Sequence, residues 1–192
     1  MAGRNKQYDE AQALDRALGV FWEKGYEHAS SRDLQTAMGI GKGSFYLAFK
    51  DGKQELFLKS LERFFALHAG PFLSQLPASA APLEAIRQYY YVLADPQGQF
   101  GRFGCYFGNT LVQPEDAHLK TVAGSYIVRV AEAFAAALRQ APNAAEVGQR
   151  LDPSLWSLYF TNLWNGLNAT RLVEPDPAKL KQLIDFYLRV FE

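Results

Sequence analysis

The apolar residues of this 192-residue chain recur at helical spacing from end to end, and strand-like alternation is sustained nowhere. Leu14, Ala17, Leu18, Phe21 and Trp22 fall at i, i+3, i+4, i+7 and i+8. They form one apolar stripe on a helix from about Tyr8 to Lys24, with Gly25 as its stop. A chain written in this period buries helix against helix, so the expected fold class is all-α, with about nine helices.

Local punctuation divides the rest. Ser30 stands three residues before Asp33, the spacing of a capping box, and opens a short helix carrying Leu34 and Met38. Gly39 ends it. A second short helix runs from about Lys42 to Ala48, with Phe45 and Phe49 on its buried side. Asp51 and Gln54 repeat the capping-box spacing and open a longer helix through Leu56, Phe57, Leu61, Phe64 and Phe65. Gly70 to Pro82 (GPFLSQLPASAAP) reads as a connection and candidate domain boundary, with a short helical piece around Phe72 to Leu76. Helices are expected at about Leu83–Ala94, within Phe100–Val112, and at about Asp116–Gln140. Asp152-Pro153 and Asp176-Pro177 each pair an N-cap with a first-turn proline, opening helices to about Leu172 and Phe191.

Lys plus Arg equals Asp plus Glu at 20 each, so any nucleic-acid surface has to be a local arrangement of charge. Residues 1–53 carry eight basic and seven acidic side chains, which decides nothing alone. Cys105 is the only cysteine, which suits a reducing compartment. The first residues hold no apolar run for a secretory signal, and no stretch approaches about 18 uninterrupted apolar residues. A cytoplasmic protein with no membrane partner is expected. His28, His68 and His118 have no metal-ligand spacing, and there is no phosphate loop or nucleophile elbow. Neither an enzyme, a metal protein nor a cofactor protein is expected.

Two short helices joined by a glycine turn, with helices before and after, have the form of a helix-turn-helix, whose second helix enters the major groove. In GKGSFYLAF the exposed face would present Lys42, Gly43, Ser44, Tyr46 and Leu47. Lys42 suits a phosphate or guanine edge, Ser44 a hydrogen bond, Tyr46 a phosphate, and Gly43 permits close backbone approach. The plain alternative is a helical hairpin with a solvated face. Arg4 and Lys6 fit either a basic arm or a solvated terminus.

The run ALGVFWEKGYEHASSRDLQTAMGIGKGSFYLAF resembles the N-terminal domain of the TetR/AcrR family of regulators. The matching pieces are Phe21 and Gly25 late in the first helix, a hydroxyl-led second helix at Ser30 or Ser31, the glycine turn, and Ser44-Phe45-Tyr46 through Phe49. The resemblance implies that Lys42, Gly43, Ser44 and Tyr46 lie on a DNA-reading helix. It places Ser31 and Arg32 where backbone phosphates are held, and Lys53 at a fourth-helix start where a lysine meets phosphate. Between Phe49 and Lys53 this chain carries one residue more than the commonest form, so Lys50 is the substitute. The resemblance implies a helix-turn-helix DNA-binding domain over residues 1–53 and a helical ligand-binding and dimerisation domain over 54–192.

The last two helices are apolar on more than one face. Trp156, Phe160, Trp164, Leu167, Leu183 and Tyr187 are candidate dimer contacts, and the resemblance implies a four-helix bundle between subunits. The middle of the chain is rich in aromatics. Phe64, Tyr90, Phe103, Tyr106, Phe107 and Tyr126, with Asn109 as a polar anchor, are the candidate lining for an apolar or aromatic ligand. The consecutive Tyr89, Tyr90 and Tyr91 cannot all face one side of a helix. Cys105 reads first as a small buried hydrophobe. The sharper alternative is a redox or electrophile switch, with Arg102 and a helix N-terminus lowering its thiol pKa, as some members of the family carry a sensor cysteine in a similar stretch. The expected function is a homodimeric repressor on palindromic double-stranded operator DNA, released when a small effector moves the helix from Asp51 to about Leu67. A helical carrier or adaptor without DNA binding is the rival.

Overall fold

The computed structural model describes residues 9–192, and every regular element among them is helical. Tyr8 and the possible basic arm at Arg4 and Lys6 lie outside the described residues.

Helix α1 spans Glu10–His28 and is capped by the Asp9 carboxylate, which accepts from the Ala11 and Gln12 N–H groups. Gly25 breaks it with φ 76°, leaving one last turn beyond the expected stop. Helix α2 spans Ser31–Met38 behind the Ser30–Asp33 capping box, which forms in both directions. Gly39 takes the left-handed conformation at φ 69° and turns the chain into α3, Lys42–Ala48.

Helix α4 spans Lys53–His68, and its start corrects the expected Asp51–Gln54 box. Gly52 occupies the N-cap at φ 63°, a conformation a side chain would resist, so the helix begins one residue later. The Asp51 N–H donates to the Glu55 carboxylate instead. Gln54 Nε2 reaches across 2.6 Å to the Asp116 carboxylate.

The proline-rich stretch folds as α5, Gly70–Gln75, followed by a 3₁₀ turn, Leu76–Ala78. Helix α6 covers Pro82–Tyr91. The single helix expected within Phe100–Val112 is two: α7, Gln99–Phe103, and α8, Tyr106–Val112, split where Gly104 adopts φ 77°. Helix α9, Ala117–Arg139, starts from the Asp116 cap. It is long and apolar enough on average to match a membrane span. It also carries Lys120, Arg129 and Glu132, and packs against α8 and against α11, Trp156–Thr170. The short α10, Ala144–Arg150, had no clear signal in the sequence. Helix α12, Pro177–Leu188, opens on the Asp176 cap and runs into a 3₁₀ turn ending at Phe191.

Helix α4 is shared between the two ends of the molecule. Toward α1, Phe57 meets Phe21 edge-on at 4.9 Å, and Arg63 forms a two-bonded ion pair with Asp15. Toward the larger bundle, Phe64 meets Phe107 at 4.9 Å and Phe65 packs on Tyr126 at 5.1 Å. Any movement of α4 is therefore felt on both sides.

Candidate DNA-reading helix and aromatic cavity

Helix α3 is held by two rings. Phe45 is fully buried and Phe49 nearly so, 5.5 Å apart, and they fix the rotation of the helix on its support. That rotation turns Lys42, Gly43, Ser44, Tyr46 and Leu47 outward together. Nothing lies within 4 Å of where a Cβ at Gly43 would sit, so its backbone is open to close approach. Arg32 and Lys50 are exposed near by, and Ser31 is half-buried at the start of α2.

Three neighbouring acids, Asp33, Asp15 and Glu55, are already engaged, whereas Asp51 beside Lys50 makes no ion pair with a described residue. The Ser30 hydroxyl and then Lys24, at 3.2 Å, hold the Asp33 carboxyl below the usual carboxylate range. Arg63 does the same for Asp15, and Lys59 for Glu55. Arg32, Lys42 and Lys50 make no ion pair with any described residue. A neutral chain thus presents a locally basic face around α3, available to phosphates. Arg16, which sequence reasoning passed over, joins them. It is exposed on α1, with Nη1 3.7 Å from where a Cβ at Gly39 would sit. Its helical period marks it only as solvent-facing, and the turn that brings it beside α3 is tertiary.

Lys53 is placed differently from its expected phosphate role. Its Nζ donates to the Tyr26 carbonyl at 3.0 Å and lies 4.4 Å from the centre of the Tyr26 ring. It closes the frayed end of α1, where carbonyls lack helical partners. The extra residue before α4 leaves Lys50, not Lys53, exposed beside the reading helix.

An apolar cavity opens between α4, α6, α8, α9 and α11. Of the residues expected to line it, Phe64, Tyr90 and Phe107 do. Phe103, Tyr106, Tyr126 and Asn109 do not. Tyr106 turns its hydroxyl to Ser60 at 2.7 Å, and Tyr126 stacks on Phe107 from outside. Phe103 packs beside Trp22, and Asn109 donates to the Phe103 carbonyl at 2.8 Å, closing the turn between α7 and α8. The missed lining includes His68, Tyr89, Phe100, Phe134 and Trp164. The slot is narrow, with ring against ring on most sides, as between Phe64 and Phe100 at 5.7 Å.

The consecutive tyrosines go to separate places. Tyr90 donates to the Phe160 carbonyl at 3.0 Å, and Tyr91 to Asp185 at 2.6 Å. Tyr89 faces the cavity, where burial pushes its phenol pKa up.

Cys105 also lines the slot and is 2% exposed. Its N–H donates to Asn168 Oδ1 at 3.0 Å, and its sulfur accepts from the Gly108 N–H at 3.4 Å. Burial pushes the thiol up, against lowering contributions from Trp164, nearby N–H groups and Arg171. Arg102, the cation expected to activate it, instead stacks over the Phe103 ring at 4.7 Å. The thiol therefore stays protonated at neutral pH, as a buried hydrophobe does.

The expected dimer residues divide. Trp156, Phe160, Trp164 and Leu167 are buried in their own subunit, because α11 turns them toward α9, α6 and the last turn of the chain. Tyr187 is exposed and Leu183 half-exposed. Leu158 and Phe186 stand open on the same two helices, each at 64%, and Leu155 is exposed just before α11. Broad apolar coverage pointed to these helices but not to which stripe the subunit keeps.

Comparison with known proteins places the first part of the chain. The model of the family described as bacterial regulatory proteins, tetR family, matches residues 13–59. The chain is 31% identical over 178 residues to the transcriptional regulator AcuR of Cereibacter sphaeroides, covering 86% of this chain and 78% of that protein. It is 29% identical over 197 residues to the uncharacterized HTH-type transcriptional regulator YezE of Bacillus subtilis, covering 99% and 100%. A cysteine mutant of the TetR family transcriptional regulator CifR, complexed with 26-bp double-strand operator DNA, superposes with a TM-score of 0.81. That match covers 97% of this chain and 98% of that one at 23% identity, which speaks for the fold.

Proposed function

The chain belongs to the TetR family of bacterial regulatory proteins, and from that premise we propose that this transcriptional regulator is a homodimeric repressor released from its operator by a small effector. The observation that carries the reading is the outward cluster of Lys42, Ser44 and Tyr46 on a helix pinned by Phe45. One such helix buries too little DNA surface for specific binding. Two copies, set about 34 Å apart, would read successive turns of one palindrome. The open apolar stripe of Leu155, Leu158, Phe186 and Tyr187 supports pairing through α11 and α12.

In this reading residues 1–53 bind DNA in the cytoplasm, and the remainder senses and dimerises. Repression needs nothing beyond occupancy of a site that overlaps a promoter. Release follows if the effector prefers an α4 position that spoils the spacing of the two reading helices. The carrier alternative uses the cavity but leaves the unpaired basic face around α3 without a purpose.

A gel shift with the upstream region of the gene itself tests the reading. Binding that weakens steeply with salt supports it. Absent or salt-insensitive binding overturns it in favour of the carrier.

A further inference from the structure

Leu47 stands 81% exposed on α3, and among the described residues up to position 53 it is the only large aliphatic side chain that is exposed. A lone exposed leucine is ordinary on a protein surface; its setting decides whether it means anything. Here the setting is a helix face flanked by exposed Lys42, Arg32 and Lys50. No apolar patch surrounds Leu47, so a protein or lipid partner would find a single side chain to dock against.

Helical geometry sets what Leu47 shares. Gly43 and Ser44 lie four and three residues before it, on the same side of α3. Gly43 has no side chain, and nothing lies within 4 Å of where its Cβ would sit. The helix can therefore come closest to another surface along this side, with Leu47 one turn further on. Tyr46 leans elsewhere. Its ring meets Phe45 edge-on at 5.2 Å, and its Cε1 is 3.6 Å from where a Cβ at Gly52 would sit. Phe45 and Phe49 are both buried and hold the rotation of the helix, so Leu47 cannot roll inward.

The chemistry of an isobutyl group narrows the partner. It offers no hydrogen bond, and it gains nothing from a phosphate or from the polar edges of the bases. The major groove presents one apolar group, the C5 methyl of thymine. Contact between the two removes apolar surface from water on both sides. We infer that Leu47 is a specificity-determining residue of DNA recognition, and that it reads a thymine methyl in each half of the operator. This rests on the reading of the protein as a DNA-binding regulator and adds a base that its target must carry.

The test selects DNA from a random-sequence duplex pool with the full chain, then replaces each thymine of the enriched duplex in turn with deoxyuridine. The exchange removes one methyl and leaves every hydrogen-bonding group in place. Replacing the thymine that faces Leu47 should weaken binding of the parent about fourfold in one half-site and about fifteenfold in both. Leu47→Ala should bind the unmodified duplex more weakly by a similar factor, and the same replacements should then change nothing. Its salt slope should match the parent's, because no phosphate contact is lost. Methyl sensitivity that persists in Leu47→Ala, a parent indifferent to every thymine methyl, or parent-like affinity of Leu47→Ala overturns the inference. Any of these with a sequence enriched by the parent sinks only the inference. Failure to enrich any sequence sinks the regulator reading and the inference with it.

Discussion

The indole Nε1–H of Trp22 donates to the main-chain carbonyl of Gly104 at 2.9 Å, across 82 residues of sequence. The bond joins α1, in the DNA-binding end, to the turn that immediately precedes Cys105 in the cavity wall. Trp22 also touches the rings of Phe64, Phe100 and Tyr106. Trp22→Phe keeps a ring there but strands a buried carbonyl, so denaturant unfolding should show a loss of about 1–3 kcal/mol. Trp22→Ala, which empties the site as well, should cost about 3–5 kcal/mol.

Two positions on α3 separate support from reading. Phe45 is fully buried, and Leu47 is 81% exposed. Phe45→Ala should destabilise the chain by about 3–5 kcal/mol in urea titration. Leu47→Ala should stay within about 0.5 kcal/mol of the parent.

The open stripe on α11 and α12 makes a contrast of another kind. Leu158→Glu combined with Phe186→Glu should turn the proposed dimer into a monomer in sedimentation, with helical circular dichroism unchanged. Trp156→Ala, inside the subunit beside Phe191, should instead lower the thermal midpoint.

His68 gives stability a pH dependence of known sign. Its folded pKa lies below the unfolded value near 6.5, because burial disfavours the imidazolium. Its contribution is therefore complete above the unfolded value and is lost as pH falls through the folded one. The titratable groups that share its cavity, Tyr89, Tyr90 and Cys105, are neutral throughout that range. Subtracting the pH–stability curve of His68→Leu from that of the parent should isolate a decline below about pH 6.5.

Local chemistry made much of this legible beforehand. The Ser30–Asp33 box, the Gly39 turn and the four-residue spacing of Phe45 and Phe49 are written in adjacent residues, and they orient Lys42, Ser44 and Tyr46 without reference to the rest of the chain. The cavity was less legible because its walls come from helices far apart in sequence. Periodicity marks Tyr106 and Tyr89 alike as apolar, and only the position of Ser60 decides that the Tyr106 hydroxyl is held inside the fold while Tyr89 lines the cavity. Lys53 shows the same limit: the kink at Gly25 swings the Tyr26 carbonyl into its reach, 27 residues away in the chain. On α11, the apolar residues outnumber what one face can hide, but the choice of Phe160 for the core and Leu158 for the surface depends on where α9 and α6 lie.

The most direct test is the affinity of Lys42→Ala for a labelled fragment of the gene's own upstream DNA, followed by anisotropy across a range of salt. The account predicts affinity reduced about tenfold and a salt slope shallower by about one per subunit. Parent-like affinity and slope in this variant would contradict it.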